Sequence, residues 1–237
     1  MSADDSDRLA RLMGRHQALH DPAVEPRNQS PWLAELRRWQ SARPKRSYGR
    51  FLHHPRRRPA AGFFLTDVYG ERDFSRRDSD IARVLPMMRR LLPDKLLGTV
   101  ADAIELGVGT QTLARSMDDV RQRLALRRRR LDEALYAEAY RQVGDQAARA
   151  RQIALIGKVG RGFGKALKLP GVAALLAFSR GPAKLAGLSE LQGFLERGFG
   201  AFETLGDVED FIREIELEES GLSQRLFAGA PAAFEAA

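Results

Sequence analysis

The densest set of ionisable side chains follows an apolar run in the first third of the sequence. Four residues there could act as acids, bases or ligand-binding groups: Asp67, Tyr69, Asp73 and Asp78. A carboxyl group beside an apolar core can have a raised pKa and can then transfer a proton in a reaction. The same residues could instead cap helices and pair with nearby arginines, because structural ion pairs resemble catalytic sites. We favour the structural interpretation and keep an enzyme or small-molecule site in the bundle as the alternative.

Two segments of the chain are rich in cations and contain no acid. Nine Lys or Arg lie between Arg37 and Arg58, and eight lie between Arg149 and Lys184. The second segment has the pattern of a basic amphipathic helix. The candidate surface residues are Arg151, Lys158, Arg161, Lys165 and Lys168, together with Arg56, Arg57 and Arg58. This pattern fits a solvated helix face, a surface for an acidic protein partner, or a contact with a membrane or nucleic acid.

An acidic segment provides a counterpart to the basic ones. Between Glu203 and Glu219 there are eight acids and one arginine. The acidic segment could therefore pair with the basic helix inside one chain, or between two chains of a homo-oligomer. Exposed pairs of this kind contribute only about 0–1 kcal/mol each.

Several kinds of site are excluded or disfavoured by residue type and spacing. The chain has no cysteine, which excludes disulfides, thiolate metal sites and cysteine nucleophiles. The run from Gly160 to Lys165 resembles a phosphate-binding loop, but Val159 and Ala166 stand where that motif needs Gly and Ser or Thr. Small residues at Gly157, Gly160 and Gly164 instead predict close packing of a neighbouring helix. We predict no cofactor and no metal.

Helix signals recur along the whole chain, and no run alternates as a strand would. We predict an all-α fold, an irregular bundle of roughly eight to ten helices without a sheet. Ser30, Asp145 and Asp207 are expected to begin helices as N-caps, and a helix is expected to stop between Gly107 and Gly109. We divide the chain into N-terminal helices and a basic connector packed on the bundle (1–58), the helical bundle (59–229) and a frayed tail (230–237).

The sequence begins with acids rather than a basic, apolar signal segment, and no apolar run reaches the length of a membrane span. We therefore expect a cytoplasmic protein without a transmembrane segment.

The segment from Phe63 to Pro93 reads FFLTDVYGERDFSRRDSDIARVLPMMRRLLP. It resembles an uncharacterised bacterial family with a core of the form FFLxDxYGxRDFSxRDxDIARVLP, and the similarity extends from Leu36 to Gly229. The resemblance implies an all-helical protein, a domain of unknown function. It carries over no catalytic or binding residue.

From these patterns we expect a non-enzymatic helical protein that acts through protein–protein contacts at its basic helical surfaces, with a protein partner or a second copy. The alternative is the small-molecule or enzyme site described above. A third possibility is binding of nucleic acid or of an anionic membrane surface. The segment between Arg37 and Arg58 is the candidate for binding nucleic acid.

Overall fold

A computed structural model describes residues 3–21, 23–68, 83–84, 86, 94–124 and 130–235 of the 237-residue chain. Within these ranges the chain forms ten α-helices and no β-strand, so the predicted all-α bundle is confirmed. The helices are α1 (Ala3–His20), α2 (Pro31–Ser47), α3 (Gly49–Leu52), α4 (Arg58–Phe63), α5 (Asp94–Leu124), α6 (Glu133–Val143), α7 (Gln146–Leu167), α8 (Val172–Leu185), α9 (Ser189–Glu203) and α10 (Val208–Ala228). A 3-10 helix spans Pro26–Gln29, and a π-helical turn spans Phe64–Val68.

The long helix α5 lies at the centre of the bundle. Helices α1, α2, α6 and α7 all pack on it, and α10 packs on α7 and α6. Helix α9 packs on α4 and α8. In the part of the chain that is described, no helix combines the length and apolar character needed to cross a bilayer.

Among the described residues, three groups of buried side chains form the interior. The first lies between α2, the second half of α5, α6 and α10, and includes Leu33, Leu36, Met117, Leu135 and Leu226. The second lies between α3, α4, α7, α9 and α10, and includes Phe51, Ile156, Phe202, Phe211 and Ile212. The third joins α1 to the first half of α5 through Leu9, Met13, Leu97 and Ile104. Ala233 belongs to the first core, and the partly buried Phe234 packs against it. The division of the chain into three segments stays a prediction.

The predicted N-caps begin the helices as expected. The Ser30 hydroxyl accepts a hydrogen bond from the Leu33 amide at 3.4 Å. The carboxylates of Asp145 and Asp207 accept from amides three residues on, at 2.8 and 3.0 Å. Each side chain satisfies one of the amide groups that a helix leaves without an internal partner.

The predicted helix stop between Gly107 and Gly109 is wrong. Helix α5 continues through both glycines from Asp94 to Leu124. A glycine inside a helix costs about 1 kcal/mol relative to alanine. Burial of Ile104, one turn earlier, and of Val108, between the two glycines, offsets that cost because both side chains pack into the third core.

The predicted close approach at the α7 glycines is confirmed. A methyl group added at Gly157 would lie 1.6 Å from a Glu216 carboxylate oxygen of α10. At Gly160 it would lie 2.3 Å from the Ile212 side chain, and at Gly164 2.7 Å from Val208. The three glycines thus let the α7 backbone approach α10 more closely than any side chain would permit.

We predict that Gly160→Ala lowers the free energy of unfolding by about 1–3 kcal/mol, because the added methyl group overpacks the contact with Ile212. Gly109→Ala is the matched control, since a methyl group there meets no atom within 4 Å and the helix gains up to about 1 kcal/mol. Urea unfolding of both variants measures the difference. Equal stability of the two variants would show that the α7–α10 contact is not tight.

Candidate interaction surface

Asp67, one of the predicted acid–base residues, lies in a structural ion pair. The residue is 5% exposed. Arg197 of α9 donates to its Oδ1 from Nε at 2.9 Å and from Nη2 at 2.6 Å, and the Thr66 hydroxyl donates to Oδ2 at 2.7 Å. These contacts tie the π-helical turn to α9. The other predicted members, Tyr69, Asp73 and Asp78, lie outside the described residues, so a site there stays a prediction.

The first basic segment faces the acidic helix α10 of the same chain. Arg43 Nη1 lies 2.8 Å from Glu219 Oε1, and the Tyr48 hydroxyl donates to that oxygen at 2.6 Å. Arg57 Nη1 lies 2.7 Å from Glu214 Oε1. Arg50 pairs with Glu218 and lies 3.6 Å from Glu214. The acidic segment is thus neutralised within the chain at this face.

The predicted cations of α7 are divided between two neighbouring helices. Arg151 and Lys158 pair with Glu105 and Asp102 of α5, at 2.6 and 3.1 Å. Arg161 pairs with Glu216 of α10 at 2.6 Å, and its hydrogen bonds to this carboxylate raise the pKa of the guanidinium. These three residues link α7 to α5 and α10, while Arg151 and Lys158 stay 61% and 62% exposed. Their role in binding a partner stays a prediction.

Six of the predicted surface cations are exposed, and four of these six are not engaged by an acid that the structure describes. These four are Arg56, Arg58, Lys165 and Lys168. Arg56 and Arg58 lie beside the start of α4. Lys165 and Lys168 lie at the end of α7, where the chain turns into α8.

Arg43 and Glu219 form the most enclosed ion pair between the basic and acidic segments. Each side chain is 12% exposed. Burial opposes the charge of Arg43, but the attraction of Glu219 and its hydrogen bond outweigh burial and raise the pKa of the guanidinium. The neighbouring pair of Arg50 and Glu218 is more open, with side chains 51% and 30% exposed.

Helix α8 exposes large apolar side chains at the edge of the molecule. No residue of this helix is buried. Leu175, Phe178 and Leu185 are 52%, 82% and 92% exposed. Their spacing of three and seven residues places them on one side of the helix. Leu169, just before the helix, is 40% exposed.

The opposite side of α8 is held to α9 by polar contacts. The Gln192 amide donates to the Leu176 carbonyl at 2.7 Å, and the Ser179 hydroxyl lies 3.0 Å from the Gln192 carbonyl oxygen. Arg180 Nε donates to Glu196 at 2.6 Å. These contacts fix which side of α8 faces solvent, and that side is apolar.

Cations flank the apolar side of α8 at both ends. Lys165 and Lys168 precede the helix and Lys184 lies in its last turn, and all three are exposed. The chain contains no acid between Arg149 and Lys184. We call this region the α8 surface, and it consists of Lys165, Lys168, Leu169, Leu175, Phe178, Lys184 and Leu185. Sequence reasoning found its cations but missed its apolar residues, which have the composition of a buried helix.

An open groove of about 550 Å³ between α1, α5, α6 and α7 is a second candidate location. Buried leucines such as Leu12, Leu113 and Leu155 form its floor. The acids on its rim are engaged in structural contacts. Glu105 pairs with Arg8 and Arg151, Asp119 pairs with Arg27, and Asp145 caps α7. Among the described residues, no group of three His, Cys, Asp or Glu is placed to hold a metal ion.

We predict that Asp67→Asn lowers the free energy of unfolding by about 1.5–3 kcal/mol, because it weakens hydrogen bonds between a buried carboxylate and a guanidinium. Arg197→Gln removes the other partner. Because the two residues share one interaction, the double variant should lose less than the sum of the single losses. Urea unfolding of the four proteins measures this coupling, and additive losses would exclude a structural pair.

We further predict that Glu219→Gln destabilises the protein by about 3 kcal/mol, since it leaves the Arg43 charge enclosed without its anion. Glu218→Gln, at the adjacent position, should cost only about 0–1 kcal/mol because its pair with Arg50 is exposed to solvent. Thermal unfolding at matched pH and salt compares the two. Similar losses would contradict the difference in burial.

Comparison with known proteins places the chain in a family but not with a characterised relative. No curated protein matches the sequence, and no solved structure matches it. A family model described as a domain of unknown function, DUF8198, matches residues 19–233. This match covers most of the chain and agrees with the expected membership of an uncharacterised family. The chain therefore belongs to the DUF8198 family.

Proposed function

We propose that this chain is a non-catalytic docking protein whose contacts are made by the α8 surface. The observation that carries the proposal is a helix with no buried residue that exposes Leu175, Phe178 and Leu185 on one side. Folded monomers rarely expose contiguous apolar patches of this kind unless the patch binds something. Burying apolar surface stabilises a protein or a complex by about 25 cal/mol per square ångström, and the exposed side chains of α8 lack this stabilisation unless a partner covers them.

The charge distribution supports docking at α8 rather than along the whole basic helix. Arg151, Lys158 and Arg161 are engaged with acids of α5 and α10, which partly neutralise their charge even though Arg151 and Lys158 are 61% and 62% exposed. Lys165 and Lys168 are exposed at the end of α7, directly before α8 in the chain. Exposed apolar area and positive charge that no acid of the described residues neutralises therefore occur in the same stretch of chain.

The arrangement of acids supports a role without catalysis. A general acid or base needs a carboxyl group that can exchange its proton with a substrate. Asp67 is held by Arg197, and the acids of the open groove pair with arginines or cap a helix. Ion pairing also weighs against nucleic-acid binding by the first basic segment, because Arg43, Arg50 and Arg57 pair with acids of α10 instead of presenting their charges to phosphates.

The test is site-specific photo-crosslinking in the native cells. We expect a benzophenone amino acid at position 178 to form an adduct with a protein or a lipid, because Phe178 is 82% exposed on the α8 surface. Position 217 on α10 is the control, because Leu217 is also apolar and 66% exposed but has no exposed apolar neighbour in its helix. Adducts at 178 and not at 217 support docking by α8. Equal labelling, or none at 178, contradicts it.

A further inference from the structure

We propose that the α8 surface binds the anionic surface of a lipid bilayer, with α8 lying in the headgroup layer. This inference rests on the docking function proposed above and names its partner. Helices that lie in a membrane interface bury an apolar side among the lipids and present cations to the headgroups. The α8 surface has both features in one rigid element.

The apolar side chains have the placement that insertion requires. Leu175, Phe178 and Leu185 project from the same side of one helix at the edge of the molecule. The helix has 14 residues and is therefore about 21 Å long. Its outward side also carries small residues, Ala174 and Pro182, so the three large side chains form a ridge rather than a groove. A ridge can enter a fluid lipid layer without a complementary shape.

The cations have the placement that anionic headgroups require. Lys165 and Lys168 end the helix that precedes α8, and Lys184 lies in the last turn of α8; all three are exposed. Each lysine close to an anionic leaflet strengthens binding about fivefold. Because the chain has no acid between Arg149 and Lys184, no carboxylate of this segment repels the anionic headgroups. Glu196 of α9, which contacts α8, is paired with Arg180.

The orientation of α8 is set before binding. Gln192 and Glu196 of α9 hold α8 through hydrogen bonds with Leu176, Ser179 and Arg180, so the ridge faces solvent in the folded protein. Binding therefore needs no unfolding or rotation of α8. A surface organised in advance loses less entropy when it binds.

Other occupants fit the surface less well. A second copy joined through α8 would bring Lys165, Lys168 and Lys184 of both chains together, and like charges at an interface oppose association. A nucleic acid would contact the cations and leave Leu175 and Leu185 in water. An acidic protein with an apolar groove is the remaining competitor, and the experiment below separates it from a bilayer.

The test is sedimentation of the full chain with lipid vesicles. We expect binding to phosphatidylcholine vesicles that contain phosphatidylglycerol, weaker binding to pure phosphatidylcholine, and a loss of binding as salt rises. The double variant F178Q/L185Q should bind the anionic vesicles at least about tenfold more weakly. The variant K165Q/K168Q should also lose about tenfold or more on anionic vesicles, and its residual binding should depend less on salt.

L217Q is the matched control and should bind like the unmodified protein, because Leu217 is exposed but lies on α10 and is not part of the α8 surface. Circular dichroism and the melting temperature check that every variant is folded. The inference is overturned if the unmodified chain does not sediment with anionic vesicles, or if F178Q/L185Q binds as well as L217Q.

The crosslinking experiment distinguishes failure of the docking proposal from failure of the bilayer proposal. A protein adduct at position 178, together with no vesicle binding, would retain the docking function and assign the surface to a protein instead of a bilayer. A lipid adduct at position 178 would support both proposals. The absence of any adduct at 178 would remove the docking function, whatever the vesicle result.

Discussion

The close approach of α7 and α10 is the constraint on which the rest of the bundle depends. Gly157, Gly160 and Gly164 remove the side chains that would separate the two backbones. At that distance Arg161 reaches Glu216, and Ile156 shares a core with Phe211 and others of α10. Because α7 fixes one side of α10, the acids on its other side face Arg43, Arg50 and Arg57. Helix packing thus determines which charges are neutralised and which remain at the surface.

Features set by local chemistry could be predicted from the sequence. The N-caps follow from a side-chain oxygen placed before an apolar periodic run, and the glycine face of α7 follows from its spacing along a helix. Continuation of α5 through Gly107 and Gly109 could not be predicted, because it depends on burial of neighbouring residues by α1. The partners of Arg43 and Arg151 could not be predicted either. Ion pairs between distant segments depend on the assembled fold.

The candidate surface was predicted only in part, for a related reason. The sequence identifies cations, but it does not tell which of them meet acids of their own chain. Leu175, Phe178 and Leu185 have the types expected of a core, and only the position of α8 at the edge of the molecule makes them exposed. The exposure of a side chain depends on how the neighbouring helices are arranged, and residue type alone does not predict it.

The pairing of Arg43 with Glu219 also bears on how the protein is made. The two residues are 176 positions apart in the chain. At ribosomal rates of about 5–20 residues per second, Glu219 is synthesised roughly 9–35 s after Arg43. During that interval α2 and α3 lack the helix that neutralises and covers them, and the second core lacks Phe211 and Ile212. The third core is built from α1 and α5 alone, whereas the other two cores include residues of α10. We therefore expect assembly on the ribosome to begin with the third core.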